Sequence, residues 1–266
     1  MTLSTRRVGF ILLGSMGDCI RLAHCLKFFA FTNSDITWLI SSKWRAIRLL
    51  APQIEFIEVN SFRALSKVFF RKFDIVVDFQ RILKSGLISF ISSKIRLGFH
   101  PRDTKELNHL FNNIYITPWL ENQTKFEKYL ELLVLAGLEQ QSFQTTIEPL
   151  VDKSQAVVSL GGSWKSKRFP KDALTRILNA LTKLGVIHIF LLGGFDAKDD
   201  AEYLLASSKK FGLRVNNLVG IPLEETISFV KSYTPGYALG TDTGLAHLFA
   251  YFGKPYWTIF GPSDPR

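Results

Sequence analysis

The chain has 266 residues, 47% of them hydrophobic, and 33 Lys or Arg against 23 Asp or Glu give it a net charge of +10. That size supports two α/β domains or one large unit, and no apolar run approaches the length of a membrane span, each being broken by Gly, Ser or charge. Residues 43–102 hold twelve Lys or Arg against four Asp or Glu, a surplus that suits an anionic lipid surface, a phosphorylated substrate or simply a solvated basic face; no nucleic-acid-binding pattern accompanies it, so nucleic acid is set aside as a partner.

In chain order, Arg6-Arg7 and the apolar run 8–13 resemble a short signal peptide, but the run is brief and Gly14-Ser15-Met16-Gly17-Asp18 interrupts it. It reads instead as the first strand, turning into a helix over about 19–31. Asp18 at that helix start has two readings, a cap favoured by the helix dipole or a base that accepts a proton from a hydroxyl. Cys19 and Cys25 sit on different faces of the same helix, which implies neither disulfide nor metal site and makes a reducing compartment the simpler assumption. Residues 36–40, 56–59 and 73–78 read as strands, with a helix over 43–50, and the alternation predicts a parallel sheet. Lys84 and Ser85 fall at the start of the next helix, placed for an anionic acceptor or merely solvated. Residues 125–137 read as an amphipathic helix with a glycine stop. The polar break at 149–154 divides the chain into domains 1–150 and 151–266.

The second half opens with a strand at 156–160 and the loop Gly161-Gly162-Ser163-Trp164-Lys165-Ser166-Lys167-Arg168-Phe169-Pro170. Glycines allow close backbone approach, the Ser163 hydroxyl donates and lysines neutralise charge, which is what a diphosphate requires of a loop; Lys165 and Arg168 read as solvated. A helix over 172–184 and a strand over 187–192 follow. Asp196, just past that strand, is the candidate for a ribose hydroxyl, with Asp199 as rival; either could only cap the helix around 201–211. After Ile221-Pro222 and a helix over 223–232, the strand 237–239 meets Gly240-Thr241-Asp242-Thr243-Gly244 and a helix from about Leu245. Free N–H groups at a helix start suit a phosphate, with His247 one turn in; the bland alternative is a helix capped by Asp242 or Thr243. A strand over 255–260 then ends at Gly261-Pro262-Ser263.

Asp242-Thr243-Gly244-Leu245-Ala246-His247, followed by Gly253-Lys254-Pro255 and Phe260-Gly261-Pro262-Ser263-Asp264-Pro265, resembles the donor-site signature of the ADP-heptose:lipopolysaccharide heptosyltransferases, glycosyltransferase family 9. Gly17-Asp18, the segment from Asp78 through Gln80 to Lys84-Ser85, and Arg96-Leu97-Gly98-Phe99 are similar to further family segments, with Arg81 where the family usually has glycine. Other departures are Leu12 in place of a basic residue, His24 in place of proline, and no histidine near Thr124.

The resemblance implies an α/β fold of GT-B type, two Rossmann-like domains facing a cleft, with a C-terminal segment that looks shortened. It implies inverting, metal-independent transfer of a heptose or related sugar from an ADP-sugar to the lipopolysaccharide inner core or another phosphorylated glycolipid. The enzyme would work without a cofactor in the cytoplasm, peripheral to the anionic inner face of the inner membrane. Asp18 and Lys167 take the catalytic roles; Ser163, Asp196, Ile221, Asp242, Thr243, Gly244 and His247 the donor side; Ser15, Met16, Gly17, Gln80 and Lys84 the acceptor side. The rival expectation is a catalytically weak homologue that binds the sugar nucleotide as a scaffold; a dehydrogenase is disfavoured because the first loop lacks dinucleotide spacing.

Overall fold

A computed structural model describes residues 5–60, 66, 68, 72–162, 167–234 and 236–260. The chain divides into two compact units, one running up to Phe143 and one from Gln144 onward.

The first unit is a six-stranded, all-parallel sheet. Its central strand β1 (Arg6–Ile11) buries Val8, Phe10 and Ile11 completely, as a parallel strand covered on both faces must. After β1 come α1 (Met16–Cys25), the short β2 (Phe29–Ala30), β3 (Ser34–Ile40) and β4 (Glu55–Glu58). β5 (Ile75–Asp78), α2 (Leu83–Ser92), β6 (Ile95–Gly98), β7 (Ile114–Tyr115), α3 (Lys125–Leu135) and β8 (Glu139–Gln140) complete it. The order across the sheet is β4-β3-β1-β5-β6-β7, so strand addition reverses direction between β1 and β5. β2 and β8 form a small antiparallel pair.

The second unit is a five-stranded parallel sheet of order β11-β10-β9-β12-β13. It comprises β9 (Gln155–Ser159), α4 (Lys171–Lys183), β10 (His188–Gly193), α5 (Lys198–Ser208), β11 (Arg214–Val219), α6 (Leu223–Ser232), β12 (Tyr237–Thr241), α7 (Gly244–Tyr251) and β13 (Trp257–Ile259). Leu174, Leu178 and Leu181 of α4, at helical spacing, pack on Val158, Ile189 and Leu191 of the sheet. Here the order reverses between β9 and β12.

Two expectations are corrected, and one strand was not expected. The segment 43–50 is not an α-helix but 3₁₀ turns over Ser42–Leu49, with non-helical backbone at Trp44, whose indole is packed against the backbone of Gly14. The first helix ends at Cys25, and after a single 3₁₀ turn Phe29 enters the β2–β8 pair. β11 had no strand expectation because Asn216 and Asn217 break its apolar pattern, which an edge strand tolerates.

His24 of α1 is half-buried and packs against the rings of Phe28 and Phe126. Burial first, then the Lys27 ammonium, pushes its pKa down to about 4. An unfolded chain takes up that proton near about 6.5, so between these values the unfolded state binds more protons. Stability is therefore lost as pH falls from about 6.5 towards 4. Urea midpoints measured at pH 7 and 4.5 should fall further for the wild type than for His24→Leu; equal losses would rule out this residue as the source.

Candidate active site

In open α/β sheets ligands bind outside the carboxyl ends of strands where the order reverses. In the first unit those ends are the loops after β1 and β5. Gln80 joins them, its Oε1 accepting from the backbone N–H groups of Leu13 at 2.9 Å and Gly14 at 3.1 Å. Gly14 admits no side chain, since a Cβ there would lie 2.6 Å from Trp44 Nε1. Ser15 adopts the extended cap conformation before α1, and its carbonyl accepts from Cys19 N at 3.0 Å. Met16 and Gly17 begin α1 and bring Asp18 into its first turn. Asp18 Oδ1 accepts from Lys125 Nζ at 2.6 Å and Arg21 Nη1 at 2.7 Å. All three side chains are about a fifth exposed, at 19–24%, so the cluster is sheltered yet reachable.

The β5 loop is shaped by Asp78, which is fully buried. Its carboxylate accepts from Gln80 N at 2.8 Å, Ser85 Oγ at 2.8 Å and Asn108 Nδ2 at 2.6 Å. Burial pushes its pKa up, and these donors oppose the rise. Arg81 is held at φ 67°, the left-handed region, and its guanidinium lies 5.0 Å from the Phe99 ring centre and 5.1 Å from that of Trp119. Lys84, next on α2, is exposed, whereas Ser85 is spent on Asp78.

In the second unit the corresponding loops follow β9 and β12, paired with Gly240 opposite Ser159. Gly240 is required by proximity: a Cβ there would meet Tyr256 Oη at 2.3 Å and Ser159 Cβ at 2.6 Å. Lys167 crosses from the first loop to the second, donating to Asp242 Oδ2 at 2.7 Å and to its carbonyl at 3.2 Å. Thr243 caps the start of α7 by position, and its Oγ1 is buried without a hydrogen-bond partner among the described residues. Gly244 opens the helix and His247 lies one turn in, half-buried. Asp196, after β10, accepts from Gly162 N and Arg168 Nη2, both at 3.2 Å. Arg168 is thus paired rather than solvated. Ile221 follows β11, half-buried. Ser163, Lys165 and the loop at 261–263 lie outside the described residues.

The sequence model of glycosyltransferase family 9 (heptosyltransferase) matches residues 62–266, well over half of the chain. The chain belongs to glycosyltransferase family 9. A Campylobacter coli protein, lipopolysaccharide heptosyltransferase 1, is 25% identical over 96% of this chain and 84% of its own length. The Escherichia coli heptosyltransferase WaaC, solved with ADP, is similar in fold with a TM-score of 0.75 at 20% identity, covering 97% of this chain and 88% of that one. A family 9 glycosyltransferase from Veillonella parvula matches with a TM-score of 0.76 at 19% identity, over all of this chain and 84% of its own. The two-sheet α/β architecture expected as GT-B is the one these solved proteins share.

Family membership makes the chain a glycosyltransferase and gives the two loop clusters a context. The sequence did not point to Lys125 beside Asp18, a partner 107 residues away. A local signal existed: Thr124 and Glu127 form a reciprocal cap that fixes Lys125 as the first residue of α3. A cation at a helix start opposes the dipole, and the nearby Asp18 offsets that.

Two variants probe the β5 loop. Asp78→Ala leaves Ser85 and Asn108 facing a void, and urea unfolding should show a loss of about 2–4 kcal/mol; a smaller loss would mean that water replaces the carboxylate. At position 81, Arg→Ala keeps the left-handed backbone without the guanidinium stacking, so it should be less stable than Arg→Gly by about 1 kcal/mol. Equal stabilities would show that the loop relaxes out of that conformation.

Proposed function

We propose that this family 9 enzyme transfers a heptose from an ADP-sugar to a hydroxyl of the lipopolysaccharide inner core, with inversion and without a metal ion. The donor class is supported by a relative solved with ADP-2-deoxy-2-fluoro heptose and the acceptor class by the named Campylobacter coli relative. The observation that carries the reading is the turn Asp242-Thr243-Gly244 at the reversal point of the second sheet. It combines a helix start, a buried Thr243 hydroxyl without a partner among the described residues and the Lys167 ammonium at 2.7 Å from Asp242. Backbone N–H groups at a helix start and an adjacent cation are what a diphosphate needs.

In this reading Asp18 takes the proton of the acceptor hydroxyl as its oxygen attacks the anomeric carbon. The bond from that carbon to the diphosphate breaks on the opposite face, which inverts the centre. Charge developing on the departing ADP is met by Lys167 and by the N–H groups at the start of α7, which supply the stabilisation a metal would otherwise give. Lys125 and Arg21 hold Asp18 in place. Asp196 and Ile221 serve the nucleoside end, Ser163 and His247 complete the donor side, and Ser15, Met16, Gly17, Gln80 and Lys84 form the acceptor side. Gln80 acts there through the loop it holds. The rival scaffold reading has no support among the relatives, which are transferases by name. The enzyme would work from the cytoplasm at the inner face of the membrane, where its lipid-linked acceptor lies.

The experiment is release of ADP from ADP-heptose with a deacylated inner-core acceptor. Asp18→Asn should lower turnover by about 10²–10⁴-fold and Lys167→Met by about 10²–10³-fold, with chelator leaving the wild-type rate unchanged. Acceptor-dependent release that survives in Asp18→Asn would remove the base assignment. No release by the wild type, with ADP still binding, would remove the transferase reading itself.

A further inference from the structure

The exposed apolar side chains of α2 form one stripe. Leu83, Leu87, Phe90 and Ile91 are each at least 40% exposed, and their spacing places them on one side of the helix, while Ser85, Ile88 and Ser89 are buried on the other. The 3₁₀ turn Asn108–Phe111 is packed against this helix: the Phe90 and Phe111 rings meet edge to face at 6.1 Å, and Asn108 Nδ2 donates to the Ile82 carbonyl at 2.8 Å. Next to these contacts, Leu107 and Leu110 stand 63% and 64% exposed. An apolar surface continued across two packed elements marks an interaction site rather than ordinary surface scatter.

Its surroundings are cationic. Lys84, Lys94 and Lys105 are exposed, and the Arg96 guanidinium lies 5.2 Å from the centre of the Phe90 ring. Two acids among them are turned to structural use: Glu106 Oε2 accepts from Leu83 N at 3.2 Å, and Asp103 Oδ2 from Trp119 N at 2.8 Å. We propose that this face docks the enzyme on an anionic bilayer, with the leucines and Phe90 entering the interfacial zone and the lysines meeting lipid phosphates. Apolar insertion and electrostatic attraction reinforce each other at such surfaces. Charge selects this occupant over a second copy of the chain, because a two-fold interface would set the same lysines against one another. The proposal rests on the lipid-linked acceptor read above for its purpose, but its test does not use turnover.

The test is co-sedimentation of the full chain with vesicles of phosphatidylcholine alone or containing about one third phosphatidylglycerol. The wild type should bind the anionic vesicles at least about tenfold more tightly than the neutral ones and should weaken as salt rises. The double variants Leu87→Glu/Leu110→Glu and Lys94→Glu/Lys105→Glu should each lose about tenfold or more, with wild-type circular dichroism and ADP binding. If the leucine variant fails to fold, the lysine variant decides. Absence of binding by the wild type, or wild-type binding by folded variants, overturns the proposal. So does a solution dimer that Leu87→Glu/Leu110→Glu breaks without changing vesicle binding, since a second copy would then own the face. Failure of ADP release on the deacylated acceptor with vesicle binding intact would count against the transferase reading alone.

Discussion

The first unit depends on one carboxylate that water does not reach. Stripping water from a charged or polar group is costly unless hydrogen bonds replace it, and Asp78 recovers them from the Gln80 backbone, the Ser85 hydroxyl and the Asn108 amide. Each donor commits a different part of the structure. Gln80, held at its backbone, turns its own side chain to the loop before Asp18. Ser85 fixes the first turn of α2. Asn108 brings in the 3₁₀ turn that packs along that helix. Arg81 is caught between these commitments and accepts a left-handed backbone, with stacking on Phe99 and Trp119 as the offset.

Two lysines of the second unit, Lys254 and Lys167, sit in contrasting surroundings. Lys254 is almost wholly buried, donating to Glu148 Oε2 at 2.9 Å and the Tyr233 carbonyl at 2.8 Å. Gly253 before it has φ 67°, and a Cβ there would lie 2.3 Å from the Thr146 carbonyl. The Gly253-Lys254-Pro255 part of the signature is therefore a clamp between the start of this unit and its last strand. Lys167 differs. Its ion pair is 29% exposed on both sides, where such pairs add little stability, so its value lies in position: it carries a cation to the start of α7.

The parallel sheets and the placing of Asp18 and of the Asp242-Thr243-Gly244 turn at helix starts after strands were legible in sequence because each rests on local pattern. Helix Leu223–Ser232 was read with its observed bounds because Pro222 and the two acids after Leu223 mark its start. What escaped was set by distant contacts. Nothing near Asp18 announces Lys125, and nothing near Asp78 announces Asn108, though both pairs are under 3 Å apart. The segment Ser42–Leu49 carried a helical pattern and became 3₁₀ turns with a kink at Trp44, whose side chain meets the backbone of Gly14. Local propensity is a weak prior against a packed contact of that kind.

The same reasoning connects the loop before Asp18 with the outer face of α2. The helix start is fixed through Ser85 and Asn108 to Asp78, and the loop before Asp18 is fixed through Gln80 to the backbone beside that same residue. Both hang from one buried carboxylate within one unit, so the apolar stripe and the loop before Asp18 are tied by the same contacts. A bilayer docked on that stripe would meet the loop before Asp18 in the frame that this packing sets. This arrangement needs no rigid membrane anchor, only a surface whose orientation is set by packing, and that packing leads back to Asp78.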